Sequence, residues 1–287
     1  MRSIEKDRKT GNSKNIGNIG NPEGIESLGS PGNKTLHRLA GYGPAFVLAF
    51  TLLAFWELYV RSGQISTRVL PAPTLVVQAL IDNWDILSVH TLQTLMETVL
   101  GMAAATFLGL LLAVMLDIST WVRRAVYPLL VTSQTIPMIA LAPLLLIWLG
   151  YGLEPKVIVV TLYCFFPIAV AVADGLAGAE PELINLLRSM RASRWQILRL
   201  VRLPGAMPAF FSGLRIAATY SVTGAIVGEF VGGYQGLGIY METSANSFAI
   251  VQVFAAIVVT AVLSLLLFGL VSLIERIALP WYHGATR

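Results

Sequence analysis

From Gly41 onward the chain alternates long apolar stretches with short polar breaks. A segment needs about 20 apolar residues to cross the hydrocarbon of a bilayer. Six stretches reach that length, at roughly 41–60, 93–116, 126–149, 156–177, 206–231 and 250–274. Backbone groups at that depth have no water to bond, so each stretch is predicted to be a helix. The alternating pattern that would build a barrel is absent. Residues 1–38 are rich in Asn, Gly, Ser, Lys and Glu. They hold too little apolar surface to offset the entropy of ordering and are expected to form a flexible tail, leaving 39–287 as the membrane domain. No apolar run follows the basic start closely enough to read as a secretory signal.

Composition supports this division. Hydrophobic residues make up 55% of the 287 positions and charged residues 13%, and the mean hydropathy is +0.70. A soluble domain carries about 25% charged residues, so most of this surface is expected to meet lipid. The same numbers exclude bulk disorder, a disulfide scaffold and a nucleic-acid binder with a broad basic face. Cys164 is the only cysteine, so no intramolecular disulfide can form. Gly29-Ser-Pro-Gly-Asn-Lys34-Thr35 is a poor phosphate loop, because Asn33 stands where glycine is required and no strand precedes it.

The placement of the charges carries more information than their number. With the N-terminus in the cytoplasm, 17 of the 20 Lys and Arg fall inside, leaving Arg61, Arg68 and Lys156 outside. That bias predicts a multi-pass membrane protein with both termini cytoplasmic. Five of the inner arginines (Arg188, Arg191, Arg194, Arg199 and Arg202) lie in one long connection, 178–205. Two short helices fit it. The first follows Pro181 and puts Leu183, Leu187 and Met190 on one face. The second starts at Ser193 with Gln196 three residues on, a capping-box pattern, and puts Trp195, Leu198 and Val201 on one stripe. Leu203-Pro204 is expected to end it. The connection reads either as an amphipathic hairpin on anionic lipid or as a docking element for a cytoplasmic partner.

Here the sequence resembles a known family. The connection is similar to the cytoplasmic coupling loop of ABC-importer permeases, carried by Ala192-Ser193-Arg194-Trp195-Gln196, by Val201-Arg202-Leu203-Pro204 and by Pro208. Leu70-Pro71-Ala72-Pro73, Thr135-Ile136-Pro137 with Pro143, and Gly236-Leu237-Gly238 extend the likeness over about 41–280. It is nearest the nitrate, sulfonate and taurine branch, which includes permeases for the pyrimidine precursor of thiamine. The resemblance implies an all-α membrane protein of about six transmembrane helices, of the type I ABC-importer permease kind. It implies a homodimer or pseudo-dimer in the inner membrane, a cytoplasmic ATPase subunit and an extracytoplasmic solute-binding protein, with no cofactor. It also implies that Glu182, Asn185, Leu187, Met190, Arg191, Arg194, Trp195, Leu198, Leu203 and Pro204 serve the ATPase-coupling loop. Departures are present: Asn185 replaces the family's Glu, Leu186 and Leu187 replace two Ala, and Arg191 replaces the Gly of the turn. A left-handed conformation at a residue with a side chain costs about 1 kcal/mol or more, so a reshaped turn or a longer first helix is expected.

Ionisable groups at bilayer depth are functional suspects. Glu57, Glu97, Asp117 and Glu275 lie near helix ends, where side chains reach the interface. Arg215 is expected to snorkel inward or to pair with Asp174. Ser133, Gln134 and Thr135 interrupt the third span, and Thr219, Tyr220, Ser221, Thr223 and Glu229 dot the fifth. These residues either line a translocation path or hold helices together as a polar stripe. Glu229 is also placed to bond the Gly232-Gly233 turn. The 232–248 segment, with its glycines, reads as an outer loop. Rival classes fare worse. His37, His90 and His283 are scattered, and no nucleophile, metal or paired-acid motif of an enzyme appears. A self-sufficient carrier or channel would show repeats or a charged midplane site and has no need of the long amphipathic connection.

Overall fold

The computed structural model describes residues 33–63 and 65–284. Their elements are α1 (Asn33–Arg61), α2 (Pro73–Asp82), α3 (Trp84–Ile118), α4 (Thr120–Ser133), α5 (Met138–Leu149) and α6 (Glu154–Ala177), then α7 (Pro181–Ser189) and α8 (Arg194–Ile197). A π-helical turn, Leu198–Arg202, leads into α9 (Leu203–Gly232), followed by α10 (Leu237–Asn246), α11 (Ile250–Ala278) and α12 (Pro280–Gly284). No strand occurs among the described residues. The expected tail falls outside them up to residue 32, and α1 already begins at Asn33. Contacts divide the chain into two units, one ending at Leu52 and the other running from Leu53. In the first, Phe46, Val47, Leu48 and Phe50 are exposed along α1.

Among the described residues, five helices are long and apolar enough to cross a membrane, and α4 with α5 makes a sixth if that bent pair is one span. The interruption expected in the third span is a sharp bend: the chain turns by 98° between α4 and α5. Pro137 supplies no N–H and keeps Ile136 out of helical conformation. Backbone turns close the break, with Thr135 N donating to Thr132 O and Ile136 N to Ser133 O, and the hydroxyls around it bond back to the chain. Thr132 Oγ1 donates to Pro128 O (2.6 Å), Ser133 Oγ to Leu130 O (2.8 Å) and Thr135 Oγ1 to Thr132 O (2.7 Å).

The core is α6 held between α3 and α9. Val160, Cys164, Ile168, Val172 and Leu176 recur every four residues along α6 and are buried. They face a strip of small residues on α3, namely Gly101, Ala105, Gly109 and Ala113, and another on α9 that includes Gly213, Ala217, Gly224 and Gly228. Such strips let helix axes approach closely, which is how helices associate in lipid. The fit is tight. A Cβ on Gly213 would lie 2.7 Å from Ala171 Cβ and 2.8 Å from Pro167 O, and one on Gly109 would lie 3.0 Å from Ile168 Cγ2. A second cluster joins α11 to α2, α9 and α10 through residues such as Val76, Val222, Leu237, Ala256 and Leu263.

The acids expected to snorkel are paired instead. Glu97 and Lys156, both buried, form an ion pair of 2.9 Å between α3 and α6. Asp117 pairs with Arg202. Arg215 pairs with Glu275 at 3.3 Å and not with Asp174, which accepts from Tyr127 Oη at 3.1 Å. Glu57 binds Arg61 Nε at 2.6 Å and accepts from Thr74 N and Oγ1 at 3.1 and 2.9 Å, closing the start of α2. The reason is common to all four. A charge near lipid is stabilised more by a fixed counter-charge than by stretching toward distant water.

Gly213→Val is expected to force α6 and α9 apart, because backbone blocks the new side chain. The cost is about 1–3 kcal/mol, typical of overpacking, seen as a lower unfolding midpoint of the detergent-solubilised protein. Gly205→Ala, where a Cβ meets nothing within 4 Å, serves as the control. An equal midpoint for the two variants would contradict the packing described.

Candidate functional site

Two ends of the helix array carry chemistry. At the first, α7 and α8 form a short hairpin. Ser193 Oγ accepts from Gln196 N (3.2 Å) while Gln196 Oε1 accepts from Ser193 N (2.7 Å), so the capping box is formed. The turn before it is neither reshaped nor lengthened by Arg191. Arg191 adopts the left-handed conformation at φ 57°, its N–H donates to Arg188 O (2.9 Å), and Ala192 N donates to Leu187 O (2.9 Å). This is the bond pair of a Schellman closure, kept with arginine at the strained position. The backbone bonds of the turn outweigh the steric cost.

The expected stripes of this hairpin are displaced. Ile184 is the buried residue of α7, whereas Leu183 (44% exposed) and Met190 (71%) face outward with Leu186 and the half-buried Leu187. Glu182, Asn185, Arg191 and Arg194 are exposed as well. In the next turn Ile197 and Leu198 are buried and Trp195 is 62% exposed. Leu203 is half-buried and Pro204 exposed. Leu203-Pro204 does not end the helix: α8, the π-helical turn and α9 run on as one apolar span, Arg194–Gly232. The wider turn takes in Pro204, whose missing N–H is harmless at the start of α9.

The residues proposed for a path fall into separate places. Thr219, Tyr220 and Thr223 share an exposed face of α9 with Ile216. Ser221 is buried and donates to Ala218 O within its own helix at 2.8 Å. Gln134 and Thr135 are exposed and Ser133 half-buried at the α4–α5 bend. No hydrogen bond joins that bend to the α9 face among the described residues.

Glu229 is fully buried and belongs to a network at the second end, which sequence reasoning missed. The segment read as a loop contains α10, whose N-terminus is capped by side chains from other helices. Gly236 N donates to His90 Nδ1 (3.0 Å), Leu237 N to Thr94 Oγ1 (2.8 Å) and Gly238 N to Glu229 Oε2. Thr94 Oγ1 in turn donates to Glu229 Oε1 at 2.6 Å. Glu97 Oε1 accepts from Gln93 Nε2 (2.8 Å) and Lys156 Nζ (2.9 Å), and Lys156 also reaches Gln235 O at 3.5 Å. Gly236 has φ 130°, and any Cβ there would strike the Glu229 carboxylate. A signal was present: His90, Gln93, Thr94 and Glu97 recur at i, i+3, i+4 and i+7, a polar stripe on an otherwise apolar helix.

This architecture defines a class. It is a multi-span helical membrane protein with a short helical hairpin set into its fifth span, and it has polar bracing at both ends. Comparison narrows the class. Residues 105–278 match the family described as the binding-protein-dependent transport system inner membrane component. The chain belongs to that family. It is 39% identical to the formylaminopyrimidine transport permease protein of Halalkalibacterium halodurans over 80% of this chain and 92% of that one. It is 36% identical to the riboflavin transport system permease protein of Chloroflexus aurantiacus (88% and 95%) and 29% identical to the taurine transport system permease protein of Escherichia coli (81% and 87%). Among solved structures, the MetNI methionine ABC transporter in an inward-facing conformation has the same fold. Its TM-score is 0.60 at 23% identity, over 67% of this chain and 95% of that one. The chain is thus a membrane permease subunit of an ABC importer.

Thr94→Val is expected to strand Leu237 N–H and one Glu229 oxygen. Each unsatisfied buried group costs about 1–3 kcal/mol. Amide exchange over 236–241 should quicken, while Thr94→Ser retains protection. Unchanged exchange in Thr94→Val would show that the relay does not hold α10.

Proposed function

We propose that the α7–α8 hairpin faces the cytoplasm and is the coupling element on which the ATPase subunit acts, with both chain termini on that side. The observation that carries this reading is the exposed apolar stripe Leu183, Leu186 and Met190, with the half-buried Leu187 between them, in a segment otherwise studded with arginine. Apolar side chains on a water-facing helix gain about 25 cal/mol per Å² when a partner covers them. Asn185 and Glu182 beside the stripe provide polar contacts at its rim. Two permease subunits, as a homodimer, would enclose the path between them. Thr219, Tyr220 and Thr223 on the open face of α9 would line it, with Ser133, Gln134 and Thr135 at the α4–α5 bend. An extracytoplasmic binding protein would deliver the solute at the α10 end. The subunit itself makes no covalent change in its solute; ATP is hydrolysed by its partner.

The solute is proposed to be a small planar heteroaromatic. Relatives named for formylaminopyrimidine and riboflavin are 39% and 36% identical, whereas those named for sulfonates, taurine and nitrate are 25–30% identical. The hydroxyls and the Tyr220 ring on the α9 face suit the same class, since a ring stacks on an aromatic side chain and its heteroatoms take hydrogen bonds.

Leu187→Asp combined with Met190→Asp should reduce co-purification of the ATPase by tenfold or more while leaving the permease folded. In proteoliposomes with ATPase and binding protein, a pyrimidine solute should accumulate only with ATP, and taurine should not compete. Intact ATPase association, or uptake driven by an ion gradient without ATP, would overturn the reading.

A further inference from the structure

A cavity of about 750 Å³ opens at the α7–α8 end, between the α3–α4 turn and the start of the long α8–α9 span. Its wall holds Arg188, Arg194 and Arg202 against a single acid, Asp117. Asp117 is neutralised by Arg202. Neither Arg188 nor Arg194 has a side-chain acceptor among the described residues, and Arg202 Nε is buried without one. The wall therefore carries two uncompensated positive charges and an orphaned guanidinium N–H. Trp121 and Trp195 border the opening, 77% and 62% exposed. Tryptophan favours the level where lipid headgroups meet water, and α3 finishes its apolar run at this same level.

We propose that this cavity binds the headgroup of an anionic phospholipid from the cytoplasmic leaflet. The proposal rests on the orientation given above. Guanidinium forks match a phosphodiester oxygen pair, and the orphaned Arg202 N–H asks for such an acceptor. The size argues for a headgroup over bare phosphate, because cavities of about 300–1,000 Å³ accommodate small organic molecules. The site is distinct from the coupling stripe. Arg188 lies one turn from buried Ile184 on the inward side of α7, whereas Leu183, Leu186 and Met190 point away.

The test uses native mass spectrometry of the full chain in neutral detergent. The probes are dioctanoyl phosphatidylglycerol, dioctanoyl phosphatidylcholine and inorganic phosphate. Phosphatidylglycerol should bind at least tenfold tighter than phosphatidylcholine, and millimolar phosphate should not displace it. Arg188→Gln with Arg194→Gln should weaken it by tenfold or more, at about fivefold per basic side chain near an anionic headgroup. The Arg188→Lys/Arg194→Lys variant keeps both charges and should retain most of the selectivity. The Leu187→Asp/Met190→Asp variant should lose ATPase and keep lipid, which separates this site from the coupling reading. Equal binding of the two lipids, or undiminished phosphatidylglycerol binding by the Gln variant, would overturn the proposal. Displacement by phosphate at similar affinity would overturn the lipid source and leave a phosphate site.

Discussion

The rest of the structure depends on how closely α6 approaches α3 and α9. In hydrocarbon an apolar side chain gains little by exchanging lipid for protein, so helices are held by dense packing and by whatever polar contacts close approach allows. Glycine and alanine at four-residue spacing on both flanking helices make that approach possible here. Ile168 and Val160 fill the space their missing side chains leave. Once the three axes are this close, α6 has no freedom to rotate without driving its branched side chains into backbone. The peripheral helices α2, α10 and α11 then pack on a fixed surface centred on α9.

Close packing sets rotation, and the buried charges set translation. Glu97 meets Lys156 more than three turns into α3, and Asp117 meets Arg202 at its last turn. Ion pairs in a low-dielectric environment recover their desolvation cost only in good geometry, so they are weak evidence for net stability and better evidence for register. A one-turn slip of α3 along its neighbours moves both acids by about 5.4 Å, which strands two charges at once. Alternative registers that the repeating small residues would otherwise tolerate are thereby disfavoured.

Much of this was legible along the chain. Long apolar runs marked every long helix, and the Ser193–Gln196 spacing foretold a capping box that the structure contains. What was not legible shares a cause: it depends on partners distant in sequence. Glu97 near a helix end reads as an interfacial acid until Lys156, 59 residues on, is brought against it. The glycines of 232–238 read as a loop because the groups that cap α10, His90 and Thr94, are supplied from more than 140 residues away. Hydrophobic patterning also cannot separate a stripe that packs within the chain from one that awaits a partner. Leu183, Leu187 and Met190 have the right spacing, yet Leu183 and Met190 are exposed and Leu187 only half-buried. Pro137 and Pro204 look alike as breakers, yet one bends the chain by 98° and the other is absorbed. The difference lies in the π-helical turn before Pro204, closed by Leu203 N donating to Leu198 O, through which the helix continues.

That absorbed proline bears on how the two ends communicate. Because the helix continues through it, the 39 residues of Arg194–Gly232 form one span. At 1.5 Å per residue this is about 58 Å, well beyond the ~30 Å of hydrocarbon. Its first turn belongs to the hairpin that carries the exposed stripe, and its last turn holds Glu229 under the start of α10. The π-helical turn and Pro204 lie within that span, next to the hairpin, so a displacement imposed at α8 passes through this turn before it reaches that carboxylate. The contacts along the way, between glycine faces and α6, leave no room for side chains to move between the two helices. The same helix therefore links the hairpin to the start of α10, with α6 packed closely along it.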